Sequence, residues 1–506
     1  MPDICAAIDR LTSDKTEIWV AGDTPVDAEQ LVRAHTVLSD VVFRGGFVGV
    51  ENALAERPEG TKTVFDQRSA ALGLQVALAA NVTARMERFR FVNSGTRALK
   101  VTAAAGAALT LEDCEIEDNV MGVSVAGAND AAVTVKNCLF AGNLACEAHP
   151  GNCGGRALYV DSCKRLTIDD TLFASNGISA AYADALGTTA GGSGPILYLY
   201  QTKVTARNVR FIGNRLRRGT GGGGIVLAEY ADYQSPLRVA NSAFTNCLWM
   251  ANEERNVGMR SGSGGGMVFY PNKTHDPEVA VRPLDFVNCT FAFNLTIGSG
   301  DDYKDVLDRT TSAGLNIFSC DARVRNCVFY GNMLRDDTYC GSDIFSGGSA
   351  TFDIDYSLFA GEGTNWVSGT NLVIGSHNVY GSPRFVTTDA EFLATIEKSE
   401  TYEAGSVSRW RYTGGSNRPK FSTGEVAQAA IARFNVHVRG GSGYVDETTG
   451  EIVRTSGRTS PAVDAGDPDA PYGREPSPNG GCVNMGFYGN TPWATMSKGG
   501  TMILVK

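Results

Sequence analysis

Five strand-like runs follow clusters of glycine, and they carry the residues best suited to chemistry: Ala157-Leu158-Tyr159-Val160, Ile196 to Tyr200, Ile225-Val226-Leu227, Met267 to Tyr270 and Leu315 to Phe318. If Val160, Leu199, Leu227, Phe269 and Ile317 point into a core, alternation turns their neighbours outward. Tyr159 and Asp161, Tyr198 and Tyr200, Val268 and Tyr270, and Asn316 and Phe318 then line one face. Stacked rings on an open sheet suit the apolar faces of sugars. Tyr159, Tyr198, Tyr200, Tyr230, Tyr270 and Phe318 are therefore candidate glycan contacts; the alternative is that long loops fold over these rings and bury them. Arg215, Arg217 and Arg218 in one loop, with Arg255 and Arg260 in the next, form a basic cluster that would meet an acidic glycan. Asp161, Glu229, Asp301, Asp302 and Asp305 supply carboxylates near the same face. Two such groups serve glycoside hydrolysis as acid and base or nucleophile. They would equally ligate calcium, a hard ion that takes oxygen ligands, or simply be solvated loop charge. A lyase would add a base, Lys304 or Tyr230, and use the arginines to stabilise developing negative charge. The five histidines show no metal-ligand or triad spacing. Gly221 to Gly224 is not a phosphate loop, because no Lys-Ser/Thr pair follows it.

These residues must be positioned by something repetitive, because the chain repeats itself. Leu284-Asp285-Phe286-Val287-Asn288-Cys289-Thr290-Phe291-Ala292-Phe293-Asn294 has the same grammar as Val133 to Asn143 and Val324 to Asn332. An apolar-polar alternation leads to Asn-Cys, then an aromatic, then Asn three residues later. Looser copies run from Leu109 to Asn119, Leu166 to Asn176, Val204 to Asn214, Leu237 to Cys247 and Phe352 to Glu362. The aromatic position falls at Phe91, Ile116, Phe140, Phe173, Phe211, Phe244, Phe291, Phe329 and Phe359, with gaps of 25, 24, 33, 38, 33, 47, 38 and 30 residues. A floor near two dozen with variable additions describes a fixed coil plus one loop of variable length. Stacked coils place Phe on Phe and Asn on Asn about 4.8 Å apart. An inward Asn then pairs with turn backbone that would otherwise be buried without partners. The expected fold is all-β, a parallel β-helix.

Composition agrees. A chain of 506 residues exceeds one compact core, but a solenoid core grows along one axis. The 59 glycines and frequent β-branched residues favour strands and turns. The charge of −10 argues against a nucleic-acid partner, whose phosphates need a basic face. No apolar run of about 18 residues exists to cross a membrane as a helix. Of twelve cysteines, Cys114, Cys138, Cys289 and Cys327 share one repeat position, occupied elsewhere by Thr171, Ser242 or Ser357. That position reads as a small inward slot holding stacked core thiols. Cys146 and Cys153 flank a short loop and are candidates for a disulfide, or less well, with His149, for zinc.

Residues 1–70 read as an N-terminal cap and first coil, with a short helix over Ala6 to Leu11. Residues 71–385 read as the β-helix repeats. Residues 386–506 read as an excursion and C-terminal capping segment, packed on the last coils or covering the open end of the core. Asp389 to Glu403 and Ala427 to Phe434 are helix candidates there. Thr501 to Val505 reads as a last strand, capping the solenoid or leading onward. Met1-Pro2-Asp3 leads straight into a folded-looking segment, so any export signal is expected to have preceded it.

The pairing of Phe-x-x-Asn with Gly-Gly-x-x-apolar resembles the repeats of chlamydial polymorphic outer membrane proteins and, more broadly, secreted bacterial right-handed parallel β-helix proteins. Gly45-Gly46-Phe47-Val48-Gly49 looks like the start of such proteins. Ser460 to Asp467 and Cys482 to Gly489 look like their closing segment. The resemblance implies a right-handed solenoid, secreted or on a cell surface, with a polysaccharide or cell-surface glycan as partner. It does not choose among adhesin, lyase and hydrolase, nor exclude a structural spacer or assembly subunit. The resemblance to the polymorphic outer membrane proteins does not extend, within these 506 residues, to an autotransporter barrel or anchor. The expected function is adhesion or glycan binding; the alternative is a lyase or hydrolase acting on a polysaccharide.

Overall fold

The computed structural model describes the chain apart from residues 1–3, 10–15, 23–33, 52, 68–72, 129, 146–155, 180–193, 219–224, 231–241, 257–266, 272–283, 298–311, 319–320, 335–342, 348–350, 362–366, 370, 398–401, 404–410, 413–419, 422–428 and 499–506. Strands of successive coils pair in parallel, in register, to build three long sheets of 12, 11 and 11 strands. The protein is a right-handed parallel β-helix. One coil illustrates the path. Leu158–Asp161 lies in sheet III, Arg165–Asp169 in sheet I, Leu172–Ala174 in sheet II, and Gly177–Ile178 in a fourth, 6-stranded sheet confined to the middle coils. The loop that leaves the fourth sheet returns to sheet III in the next coil.

The repeated phrase now has a physical meaning. The Asn of Asn-Cys occupies the left-handed corner between sheets I and II, with φ of 49° at Asn137, 51° at Asn288 and 54° at Asn326. Asn tolerates this conformation better than other side-chain-bearing residues. The following Cys points inward, and its thiol contacts a carbonyl of the preceding coil, as Cys289 Sγ does with Phe244 at 3.3 Å. These thiols are fully buried and free. Two residues on, the aromatic enters the core. Phe140, Phe173 and Phe211 stack at 4.8 and 4.9 Å between ring centroids, and Phe291 and Phe329 at 4.9 Å. Each buried ring contributes about 1.5–3 kcal/mol through area removed from water.

The last Asn of the phrase forms a ladder through seven coils. Asn119 Nδ2 donates to Asn143 Oδ1, and the pattern runs on through Asn176, Asn214, Asn252, Asn294 and Asn332 at 2.8–3.1 Å. The second amide hydrogen goes to the carbonyl of the stacked residue one coil earlier, as from Asn214 to Phe173 at 2.9 Å. Asn332 ends the series by donating to Asp343 Oδ1 at 2.8 Å.

Three details differ from expectation. The aromatic slot between Phe211 and Phe291 holds Trp249, stacked at 5.3 and 4.4 Å; Phe244 lies one strand earlier, in sheet I, stacked on Phe286. The gaps on either side of Trp249 are thus 38 and 42 residues. The small slot of that coil is Cys247, not Ser242, because Asn246 makes the left-handed corner. In sheet III, Ala228 rather than Leu227 is in register with Leu199 and Phe269. Both residues are apolar, so alternation alone did not fix the parity.

A helix over Ile4–Asp9 lies against strand His35–Val37 and places Ile8 in the core, while Asp9 contacts His35 at 3.0 Å. At the other end, residues after 385 do not cover the core among the described residues. They run back along the outer face of sheet II. Phe385, Phe392, Phe421, Phe434, Met485 and Phe487 form a second apolar cluster with Leu248, Met250, Phe293, Val328 and Tyr330. Gly486 N donates to Asn326 O at 2.7 Å and Asn246 Nδ2 to the carbonyls of Phe487 and Gly489 at 2.7 Å. Both stretches singled out as a closing segment, 460–467 and 482–489, lie in this lateral layer. The first expected helix is shorter than expected: Asp389–Ala394, with a capping box from Thr388 and Glu391, followed by strand Ile396–Glu397. In the second, residues 429–431 are helical, and 422–428 lie outside the described residues. Thr501 to Val505 and the Cys146 and Cys153 pair also lie outside them.

Candidate functional site

Sheet III orders the tyrosines by register. Tyr159 pairs with Ser124 on one side and Tyr198 on the other, and Tyr198 with Leu227; one step along the strand, Asp161, Tyr200, Glu229 and Tyr270 share a second file. These two files alternate with the buried Leu158, Val160, Leu197 and Leu199, so Tyr159, Asp161, Tyr198 and Tyr200 face outward. All four are partly exposed. Tyr159 and Tyr198 lie 5.1 Å apart between centroids, and Tyr200 meets the edge of Tyr198 at 6.5 Å.

A residue missed in the sequence completes the patch. Arg156 sits at the entry to the strand and lays its guanidinium over both rings, with Cζ 4.6 Å from the centroid of Tyr198 and 5.3 Å from that of Tyr159. Such stacking holds the cation while its N–H fork stays available. Arg156 makes no ion pair with any described residue, and its Nε, shielded from solvent, has no hydrogen-bond partner. The signal was present in the sequence: a lone basic residue between Gly154-Gly155 and an aromatic strand. At the opposite edge, Asp161 accepts from Tyr159 Oη at 3.0 Å and from Ser162 Oγ at 2.7 Å. Burial, reinforced by Asp161, pushes the Tyr159 phenol well above its usual range, so it stays protonated and serves as a donor.

The remaining candidates scatter. Tyr230 ends its strand in register with Pro271. Phe318 ends the strand Leu315–Phe318, in register with Gly347. The outer face of sheet III is covered in these later coils: Asn316 is buried and bonded to Ser312, and Phe345 is buried. Among the described side chains, the open aromatic surface is a patch two coils deep. Arg215, Arg217 and Arg218 are in the fourth sheet, Arg217 in register with Arg255. Arg215 is nearly buried and pairs with Glu253 at 3.2 Å. Glu253 also accepts from Phe421 N, which places this pair under the C-terminal layer and away from the tyrosines. Arg260, Asp301, Asp302, Lys304 and Asp305 lie outside the described residues. Among the described residues no three acidic, histidine or cysteine side chains converge on a metal position.

The arrangement is a floor of rings with a cationic fork at one edge and a carboxylate at the other. Residues 67–282 match the family model described as a right handed beta helix region. The match spans the patch and agrees with the architecture read from the strand pairing. No curated protein matches the chain. No helix among the described residues is long and apolar enough to cross a membrane.

Proposed function

We propose that the protein is a secreted or surface-displayed solenoid that binds a glycan, without chemistry of its own, at the patch formed by Arg156, Tyr159, Asp161, Tyr198 and Tyr200. The observation that supports this most is Arg156: a guanidinium clamped on two rings, with no acidic partner among the described residues, across the patch from a carboxylate already held in place. A planar fork over aromatic rings binds carboxylate or sulfate groups with two parallel hydrogen bonds, while Asp161 accepts from sugar hydroxyls. The favoured ligand is an acidic polysaccharide. Affinity electrophoresis through gels containing neutral or carboxylated polysaccharide tests this. The native chain should be retarded by the carboxylated gel. Arg156→Ala should weaken retention about tenfold, the loss of one charge-assisted contact. No retention in any gel would favour a structural spacer or assembly role instead.

A second reading, hydrolysis, draws on Asp161 and Glu229. Their backbones are in register through Tyr200, two coils apart, roughly 10 Å at about 4.8 Å per coil. Carboxyl groups about 6.5–9.5 Å apart suit inverting hydrolysis. Incubation with polysaccharides, with and without calcium, separates the readings: new reducing ends abolished by Asp161→Asn would replace adhesion with hydrolysis. New double bonds would point to a lyase.

A further inference from the structure

The two ends of the solenoid are finished differently. At the first coil the helix Ile4–Asp9 closes the core, and Ile8, Val37 and Phe65 are buried. At the last coil nothing described lies over it. Ile374 pairs in register with Ile354, and Tyr380 with Phe359. Ile354 and Phe359 are at most 2% exposed, whereas Ile374 is 48% and Tyr380 40% exposed. These are core-file positions that reach the surface. Val367–Gly369, Leu372–Ile374 and Val379–Tyr380 are also the terminal strands of sheets III, I and II, each with a described neighbour on one side only. The coil is properly built: Asn378 bonds to the carbonyls of Ile354 and Gly375 and accepts from Ser357 N. Among the described residues the end is therefore an apolar core section ringed by unpaired strand edges, a surface that solenoids normally cap.

We propose that this end docks against the same end of a second copy, giving a tail-to-tail dimer. An occupant must cover Ile374 and Tyr380 while offering backbone groups to the open edges. Another copy of this end has both features and the same needs, which is the requirement of an isologous contact. Charge favours it. Two carboxylates at the rim already have partners: Asp353 pairs with Arg325 at 2.5 Å, and Asp355 is hydrogen-bonded to His377 at 2.9 Å. The helix across the first coil prevents head-to-tail stacking, so association stops at two instead of running into a filament.

Sedimentation or light scattering of the full chain across concentration tests the proposal, with engineered cysteines as a second measurement that does not depend on a destabilising variant. A dimer is expected, and Ile374→Asp should raise its dissociation constant at least tenfold without altering the thermal transition of the monomer. Ser376→Cys, exposed beside Ile374, should form an intermolecular disulfide on mild oxidation; Leu38→Cys, exposed at the opposite end, should not. A chain that stays monomeric at every concentration, or a dimer indifferent to Ile374→Asp with no Ser376→Cys cross-link, overturns the proposal. Monomer with the edge amides of Leu372–Ile374 protected from exchange would do so too, by showing that the chain covers its own end.

Discussion

The outer face of sheet II has two characters. In the early coils its outward residues are charged and mutually paired: Arg90 with Glu117 at 2.6 Å, and Lys62 with Glu115 at 2.6 Å. In the late coils the same positions hold Leu248, Met250, Ala292, Val328, Tyr330 and Leu358, all buried beneath the C-terminal layer. Arg210 marks the boundary, bonding with both guanidinium nitrogens to Glu447 of that layer. Inside, the two halves are the same: one ring stack, one Asn ladder, one file of small corner residues. The coil therefore sets the backbone, and the outward residues decide what a stretch of solenoid can carry. Alternating charge makes a free surface, and continuous apolar character makes a bed for another segment.

The inner sameness predicts the largest effect. Replacing a ladder Asn by Ala strands a neighbouring amide, a backbone N–H and a carbonyl in the core at about 1–3 kcal/mol each, so Asn143→Ala and Asn294→Ala should both cost about 3–9 kcal/mol by denaturant unfolding. Equal losses would establish that the core has no halves; a loss confined to one would break the comparison. The outer difference predicts a smaller, one-sided effect. Phe293 occupies a left-handed corner at φ 61°, where other coils place Asp118, Gly142, Ser175 or Gly213. A large side chain is strained there, yet Phe293 is fully buried and stacks on Phe392 at 4.3 Å. Phe293→Gly relieves the strain and forfeits the packing, leaving a net loss of about 2–4 kcal/mol. It should also open the C-terminal layer to limited proteolysis while the early coils stay resistant. Ser175→Gly, at the same corner in an uncovered coil, should change stability by less than about 0.5 kcal/mol.

Much of this was legible in the sequence, for reasons particular residues make clear. Asn-Cys-x-aromatic-x-x-Asn encodes a left-handed corner, a small slot, a core ring and a ladder amide, and each needs a specific residue type. At one coil the core ring is Trp249, and Phe244, five residues earlier, belongs to the neighbouring strand in sheet I. Asn246-Cys247 and Asn252 carried the correct spacing. The lateral path of the described residues after 385 was harder to see, since an outward Met250 or Val328 looks like any core residue. Its trace was a lost alternation: Leu248-Trp249-Met250-Ala251 is apolar throughout because both faces are buried. At the candidate site, periodicity found the rings Tyr159 and Tyr198 but not Arg156, which lies before the strand and takes its role from contacts across coils.

The two regions should also titrate differently, and this is the smallest effect expected. The ladder ends on Asp343, buried, accepting from Asn332 and leaving Oδ2 without a partner. Burial raises its pKa to about 7 against the bond from Asn332, and burial likewise raises Glu475 of the C-terminal layer to about 7. A carboxyl whose pKa is higher folded than unfolded binds protons more tightly in the fold. The stability it contributes is full below about pH 4 and is lost as pH rises through 7. His437, enclosed by Tyr444 and Tyr488 at 4.0 and 3.6 Å, is depressed by burial to about 3. It stays neutral in the fold, so it withdraws stability as pH falls from about 6.5 toward 3. Asp343→Asn keeps an acceptor for Asn332 and removes the charge. The variant should lose less stability than the native chain between pH 5 and pH 8, with its gain concentrated at the alkaline side. Glu475→Gln should do the same for the lateral layer, read by proteolysis of that layer across the same range. If Asp343→Asn left the pH profile of unfolding unchanged, the end of the ladder would have to be hydrated, and the inner core would be less uniform than its register implies.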